Sequence, residues 1–356
     1  MLDLCADTRY DRSYRERVTT DDERRIAATY DDFGRRWAHG TSPLYEDWAI
    51  GMGADADVVA RLAALPRAKQ QPNIVFAAAR LAGCALRPYA EVRDWIVAHW
   101  VDITAVAASR TVQTNEPNRC ATLLPVLSRI DGPVALLEVG AAAGLCLYPD
   151  RYSVVYTAPE GERRIDPPTG ASDVVLACAV DDADSVPDRH PHVVWRRGID
   201  LAPIDAGDPA SIDWLSTLIW PGPDHDARVA RLRGAARIVA ADPPDIVRGD
   251  LLERLVDVAG SAPSDATLVV FHSAVLLYLD AAERARFADI VTGLPQAIGR
   301  RVVWLSNETV GTYSSIDAQV PTDAVTDHRF VQTVDGVAVA FAGQHGAVYE
   351  TTPFRS

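Results

Sequence analysis

Val134–Pro149 reads VALLEVGAAAGLCLYP. An apolar run too short for a helix leads into a turn with Gly140 and Gly144 at its ends and Ala142 between them. In an α/β sheet this is how a strand opens onto a ligand crevice, with the N–H groups beyond it free to meet a nucleotide-like group. Three features pull the other way. Ala142 puts a methyl group where a glycine would let a ligand approach, and Pro149 cuts short any helix after the turn. The next strand-like run, YSVVYT, ends without the carboxylate that would hold a ribose, and Glu160 is the nearest acid. A turn with only a packing role explains the same residues.

The pattern changes around Asp131-Gly132-Pro133. Before it, DADVVARLAALP, PNIVFAAARLAG and YAEVRDWIVAHW carry apolar residues at helical spacing, and Thr20 with Glu23 forms a capping box. After it, VALLEV, YSVVYT, DVVLACAV, VVWRRGI, ATLVVFHS and RVVWLSNE read as strands. They are interleaved with the helical runs DPASIDWLSTLIW, DHDARVARLRGAARIVAA, GDLLERLVDVAG and DAAERARFADIV. Alternation of this kind predicts a mostly parallel sheet with helices on both faces. Asp335-Gly336 between two apolar runs predicts an antiparallel C-terminal hairpin. The expected organisation is a helical domain over 1–131 and an α/β domain over 132–356.

Composition narrows the partners. Forty-nine Asp and Glu against 35 Lys and Arg give a formal net charge of -14, which excludes a polyanion-binding surface and so nucleic acid. The first residues, MLDLCADTRYDRSYRER, lack the apolar core of a secretory signal. The most apolar run, Leu268–Leu279, is too short to cross a bilayer. Five scattered cysteines without a C-x-x-C pair fit free thiols in a reducing compartment. The expectation is a cytoplasmic protein with a small-molecule substrate and no membrane contact, acting with a protein partner subunit or as a homo-oligomer.

Several phrases in order, among them LPRAKQQPNIVFAAARLAG, QTNEPNRCATLLPVL, LLEVGAAAGLCL, ADPPDIVRGDLLE and VVWLSNE, resemble a bacterial family known as domain of unknown function 2332. The resemblance runs from about residue 60 to the C-terminus. It implies a Rossmann-like fold with a class I methyltransferase-like core, in which Glu138 stands where S-adenosylmethionine-dependent methyltransferases commonly carry an acid. Family members usually read GASAGLNL, so Cys146 replaces an Asn here. The cofactor implied is S-adenosylmethionine at Glu138, Gly140 and Gly144; the departures in the turn leave a cofactor-free site open beside it.

Candidate working groups cluster at strand ends. His272 and Ser273 end ATLVVFHS, and Asn307 and Glu308 end RVVWLSNE. If those strands are neighbours, all four converge on one crevice, with His272 or Glu308 as the base. Tyr278 lines the pocket or packs in the core. Glu116 and Arg119 of QTNEPNR, and Arg197 of WRRGIDLAP, are candidates for gripping an anionic substrate group; salt bridging is the plainer role for each. His190 with His192 and Asp224-His225-Asp226 lack a third ligand, so no catalytic metal is expected.

Function stays open between three readings. The first is methyl transfer to a small molecule. The second is a cofactor-free intramolecular displacement, such as closure of a small ring by an amine with loss of sulfate or phosphate. The third is a non-catalytic partner subunit on a degenerate fold. Methyl transfer leads narrowly, on fold analogy alone.

Overall fold

A computed structural model describes residues 21–326 and 329–354. The chain divides into two compact units. One runs to Thr114 and takes in Asp213–Val229, and the other comprises Asn115–Ile212 and the chain from Ala230 onward.

The first unit is helical. Its helices include Pro43–Ala54, Ala56–Ala63, Pro72–Leu81, Tyr89–Ala98 and Trp100–Ser109. Pro43 and Pro72 open their helices, where the missing N–H costs nothing. Ser42 and Asp55 cap by accepting backbone N–H groups. Thr20 of the expected capping box lies outside the described residues. The core is aromatic: Tyr30, Phe33, Tyr45 and Trp48 all pack on Phe76, at centroid distances of 4.9–5.9 Å. Trp220 joins them against Phe33 and Tyr45. Arg80 donates to the carbonyls of Thr217 and Ile219, which ties the segment beginning at Asp213 to the earlier helices.

The second unit is a mixed α/β structure around one large, mostly parallel sheet. Its strands are β1 Pro133–Val139, β2 Ser153–Ala158, β3 Gly161–Ile165, β4 Val175–Val180, β5 His192–Asp200, β6 Asp245–Arg248, β7 Thr267–Ser273, β8 Val302–Glu308, β9 Arg329–Val334, β10 Val337–Gly343 and β11 Val348–Glu350. The order across the sheet is β3-β2-β4-β11-β10-β9-β8-β7-β1-β5-β6. The block β8-β7-β1-β5-β6 is parallel throughout, and β9 and β10 add antiparallel strands beside it. The hairpin turn is Asp335-Gly336, both at positive φ as a two-residue type I′ turn demands.

Two expectations change here. The sheet unit begins at Asn115, not near 131. The side chain of Asn118 bonds to both the N–H and the carbonyl of Ala177, and the helix Cys120–Leu127 is buried almost all round. Helical periodicity alone could not tell a helix of the first unit from one that packs on the sheet. β1 lies between β7 and β5, with β2 nine places from β6 toward the other edge. Gly198 permits the close approach of β5 to the turn. A side-chain carbon there would sit 2.5 Å from the Ala141 methyl group, so only a glycine lets β5 run this close to the turn. The β2–β3 hairpin ends in the exposed, charged GERRI and suits an edge.

The apolar face of the parallel block is Ala135, Leu137 and Val139 of β1 with Leu268 and Val270 of β7 and Trp304 of β8. They pack under the helices Leu251–Gly260 and Ala281–Ile298. The second of these helices starts with the expected box, Asp280 and Glu283 bonding reciprocally.

Candidate functional site

In the parallel block the chain moves from β1 to β5 and β6 on one side, then returns to β7 and β8 on the other. The crevice beyond the carboxyl ends of β1 and β7 is therefore the topological switch point, where open α/β sheets bind ligands. Two segments meet there: the turn after β1 and the loop Ala274–Leu276 after β7.

Strand alternation sorts the candidate residues onto opposite faces. His272 and Glu308 do meet, on the face covered by the helix Ala281–Ile298, where the His272 ring packs edge-on against Phe287. Ser273 and Asn307 meet on the other face, where Asn307 donates to the Ser273 hydroxyl and accepts from Gln332. The expectation that all four converge on one crevice is thus corrected by the two-residue period of the strands.

His272 is fully enclosed, at 0% exposure. Its Nε2 accepts the indole N–H of Trp304 at 3.0 Å. An indole only donates, so Nε2 carries no proton, and Nδ1–H donates to Glu308 Oε1 at 2.7 Å. The same Oε1 accepts the N–H groups of Val275 and Leu276, at 2.9 and 3.1 Å. A general base needs a free lone pair within reach of the substrate. His272 has none; Glu308, 3% exposed, gives Oε1 to the loop, while its Oε2 has no hydrogen-bond partner among the described residues. Through Oε1 the pair also holds the backbone of Val275 and Leu276.

The turn itself is packed shut. Gly140 sits at φ 75°, and a side-chain carbon added there would meet Val275 Cγ2 at 2.4 Å. Gly144, at φ 70°, faces Pro244 and Ile246 in the same way. The N–H groups of Gly140 and Ala141 go to the Ile199 carbonyl, that of Gly144 to Ala141, and that of Leu145 to the Asn115 side chain. Ala142 donates to Asp200 Oδ2 at 2.8 Å. Asp200 is the acid that ends the strand beside β1. The sequence places the expected acid after YSVVYT, a strand far from β1 in the sheet, whereas the GID that closes β5 carries it.

Two alanines are held in left-handed backbone: Ala142 at φ 48° and Ala274 at φ 58°. They flank the switch point, one beyond β1 and one beyond β7. Such strain persists only where surrounding bonds over-determine it. Asp200 supplies that bond for Ala142, and the Asn307 carbonyl, which accepts the Ala274 N–H, supplies it for Ala274.

On the face opposite His272 lies the remaining chemistry. Glu138 is 6% exposed, and its Oε2 has no hydrogen-bond partner among the described residues. Burial first, then the neighbouring Cys146 and Asp200, push its carboxyl well above the ordinary carboxylate range, against the pull of the Arg119 guanidinium. Arg119 spends Nε on the Gln344 carbonyl and Nη1 on that of Ser273. Its Nη2 has no bond among the described residues. Glu116 accepts from Arg231 at 2.9 Å and from the Asn118 N–H, which makes it a buried ion-pair partner.

Other expected contacts fall elsewhere. Arg197 pairs with Asp245 of the adjacent β6 and bonds to Ser261. Arg196, on the other side of the strand, takes Asp150 through both terminal nitrogens. Tyr278 is 75% exposed and belongs to no core. His190 bonds through Nδ1 to the Pro149 carbonyl. Among the described residues no group of three or more His, Cys, Asp or Glu could hold a metal ion, and no helix is long and apolar enough to cross a membrane. Cys84, Cys120, Cys146 and Cys178 are free and buried. The thiol of Cys120 is pushed up chiefly by burial.

No curated protein and no solved structure matches the chain. A family model described as an uncharacterized protein conserved in bacteria matches residues 27–350. That span takes in the helical unit, the whole sheet and the switch point, and the chain belongs to this family, domain of unknown function 2332.

Proposed function

We propose that this chain is a small-molecule enzyme on a class I methyltransferase-like sheet, working at the carboxyl ends of β1 and β7 without S-adenosylmethionine. The run β6-β5-β1-β7-β8 followed by an antiparallel strand supports the fold reading. The cofactor does not fit the turn. Val275 fills the open side of Gly140, and Pro244 and Ile246 fill that of Gly144. The N–H groups of Gly140, Ala141, Ala142, Gly144 and Leu145 are spent on the protein.

The observation that carries the reading is Glu138. A buried carboxyl with an unpartnered oxygen is costly, and burial shifts it toward the neutral form, in which it can donate to an anion. With the Arg119 guanidinium on the same face, the pair suits an oxyanion that departs during the reaction. The matching chemistry is an intramolecular displacement. A substrate amine forms a carbon–nitrogen bond as the carbon–oxygen bond to a sulfate or phosphate group breaks. The electron pair leaves with the anion, and the surplus proton on nitrogen passes to solvent. The protein's part is to hold nucleophile and leaving group in line and to stabilise the departing charge.

Millimolar inorganic sulfate or phosphate is expected to raise the melting temperature of the wild-type chain but not of Arg119→Gln, each against its own salt-matched baseline. Equal shifts in both would remove Arg119 from the anion site.

A second reading, methyl transfer from S-adenosylmethionine, has one observation in its favour. Asp200 ends the strand beside β1, where dinucleotide folds place a ribose-binding carboxylate.

A further inference from the structure

The closed turn traces to one side chain. Gly140 would open onto the crevice but for Val275, whose Cγ2 and Cγ1 lie 2.4 and 3.2 Å from where a side-chain carbon on Gly140 would stand. Val275 is itself only half-buried. A β-branched side chain has few ways to turn aside.

The backbone that carries Val275 is held from several directions. Its own N–H and that of Leu276 bond to Glu308 Oε1. Glu308 is oriented by His272, and His272 by Trp304. Ala274, just before it, stays in left-handed backbone with its N–H on the Asn307 carbonyl. A buried relay of three side chains thus ends on the two peptide groups that set where Val275 points.

We propose that Val275 is the residue that closes the glycine turn to an adenosyl cofactor, and that the Trp304–His272–Glu308 relay positions it. The inference rests on the cofactor-free reading above and names the residue responsible. It also gives the relay a purpose outside the chemistry: Glu308 and His272 are positioning residues, acting through the loop.

The test is calorimetric titration of the full chain with S-adenosylhomocysteine, for wild type, Val275→Ala and Glu308→Gln, with folding checked by circular dichroism. Wild type is expected to give no saturable heat. Val275→Ala is expected to give a saturable isotherm with one site per chain. Glu308→Gln, which loosens the latch and leaves the valine in place, is expected to bind more weakly than Val275→Ala and more tightly than wild type. A folded Val275→Ala that binds no better than wild type overturns the role of Val275 and leaves the cofactor-free reading standing. Saturable binding by the wild type overturns that reading itself. If Val275→Ala fails to fold, Glu308→Gln decides: no gain over wild type in that variant overturns the latch.

Discussion

His272 Nδ1 lies 2.7 Å from Glu308 Oε1 inside the sheet unit, with both side chains sealed from solvent. The pair stands at the carboxyl ends of adjacent parallel strands, the usual address of catalytic groups. Its hydrogen bonds point it toward the loop instead. The pair fixes backbone that borders the crevice on the other face, so its effect on any reaction is indirect.

His272→Ala is expected to lower stability by about 2–4 kcal/mol, because it strands the Glu308 carboxylate and the Trp304 N–H in the interior. Urea denaturation measures this. Lost turnover at unchanged stability, restored by added imidazole, would put the ring in the chemistry.

Glu138 gives a pH signature. Burial raises its folded-state pKa above the unfolded value, so between the two the folded chain binds the extra proton. Stability must then fall as pH rises from the ordinary carboxylate range through the raised value. Glu138→Gln cannot ionise and is expected to gain on the wild type with rising pH, most clearly in urea titrations from pH 5 to pH 9. A constant difference across that range would mean that Glu138 is not held protonated.

In the helical unit the sign is opposite. Hydrogen bonds from Arg93, with smaller ones from Tyr89 and the Val58 N–H, hold the Asp55 carboxyl down at about 2. Its stabilisation is complete above the unfolded carboxylate value and is lost as pH falls through about 2. Asp55 also caps the helix Ala56–Ala63. Asp55→Ala is expected to cost about 1 kcal/mol near neutral pH and progressively less in acid. A cost independent of pH would leave only the cap.

Ala142 pays for its left-handed backbone with strain that a glycine would not feel. Ala142→Gly is expected to be neutral or to stabilise by up to about 1 kcal/mol, the relief being partly offset by the freer unfolded chain. Ala142→Val is expected to destabilise, since a β-branched residue tolerates this conformation least. Thermal melts of the two variants give the comparison.

Much of this was legible in the sequence. VALLEV, ATLVVFHS and RVVWLSNE are strands because short apolar runs between turn signals have no other economical form. Asp335-Gly336 is a hairpin because both residues accept positive φ. The turn at Gly140 marks the carboxyl end of β1. Sheet order was not legible: YSVVYT follows β1 in the chain and β5 lies beside it in space, at an approach that the bare Cα of Gly198 permits. Nor was the division of His272 from Ser273, which needs the pairing of β7 with β8 to be known. Val275 gave no signal, because its importance comes from what it touches across the crevice.

On the reading proposed above, the turn beyond β1 has no room for S-adenosylmethionine. Titration of the purified wild-type chain with S-adenosylhomocysteine tests it most directly. The closed turn at Gly140 and Val275 predicts heats of dilution only; a saturable isotherm with one site per chain would contradict it.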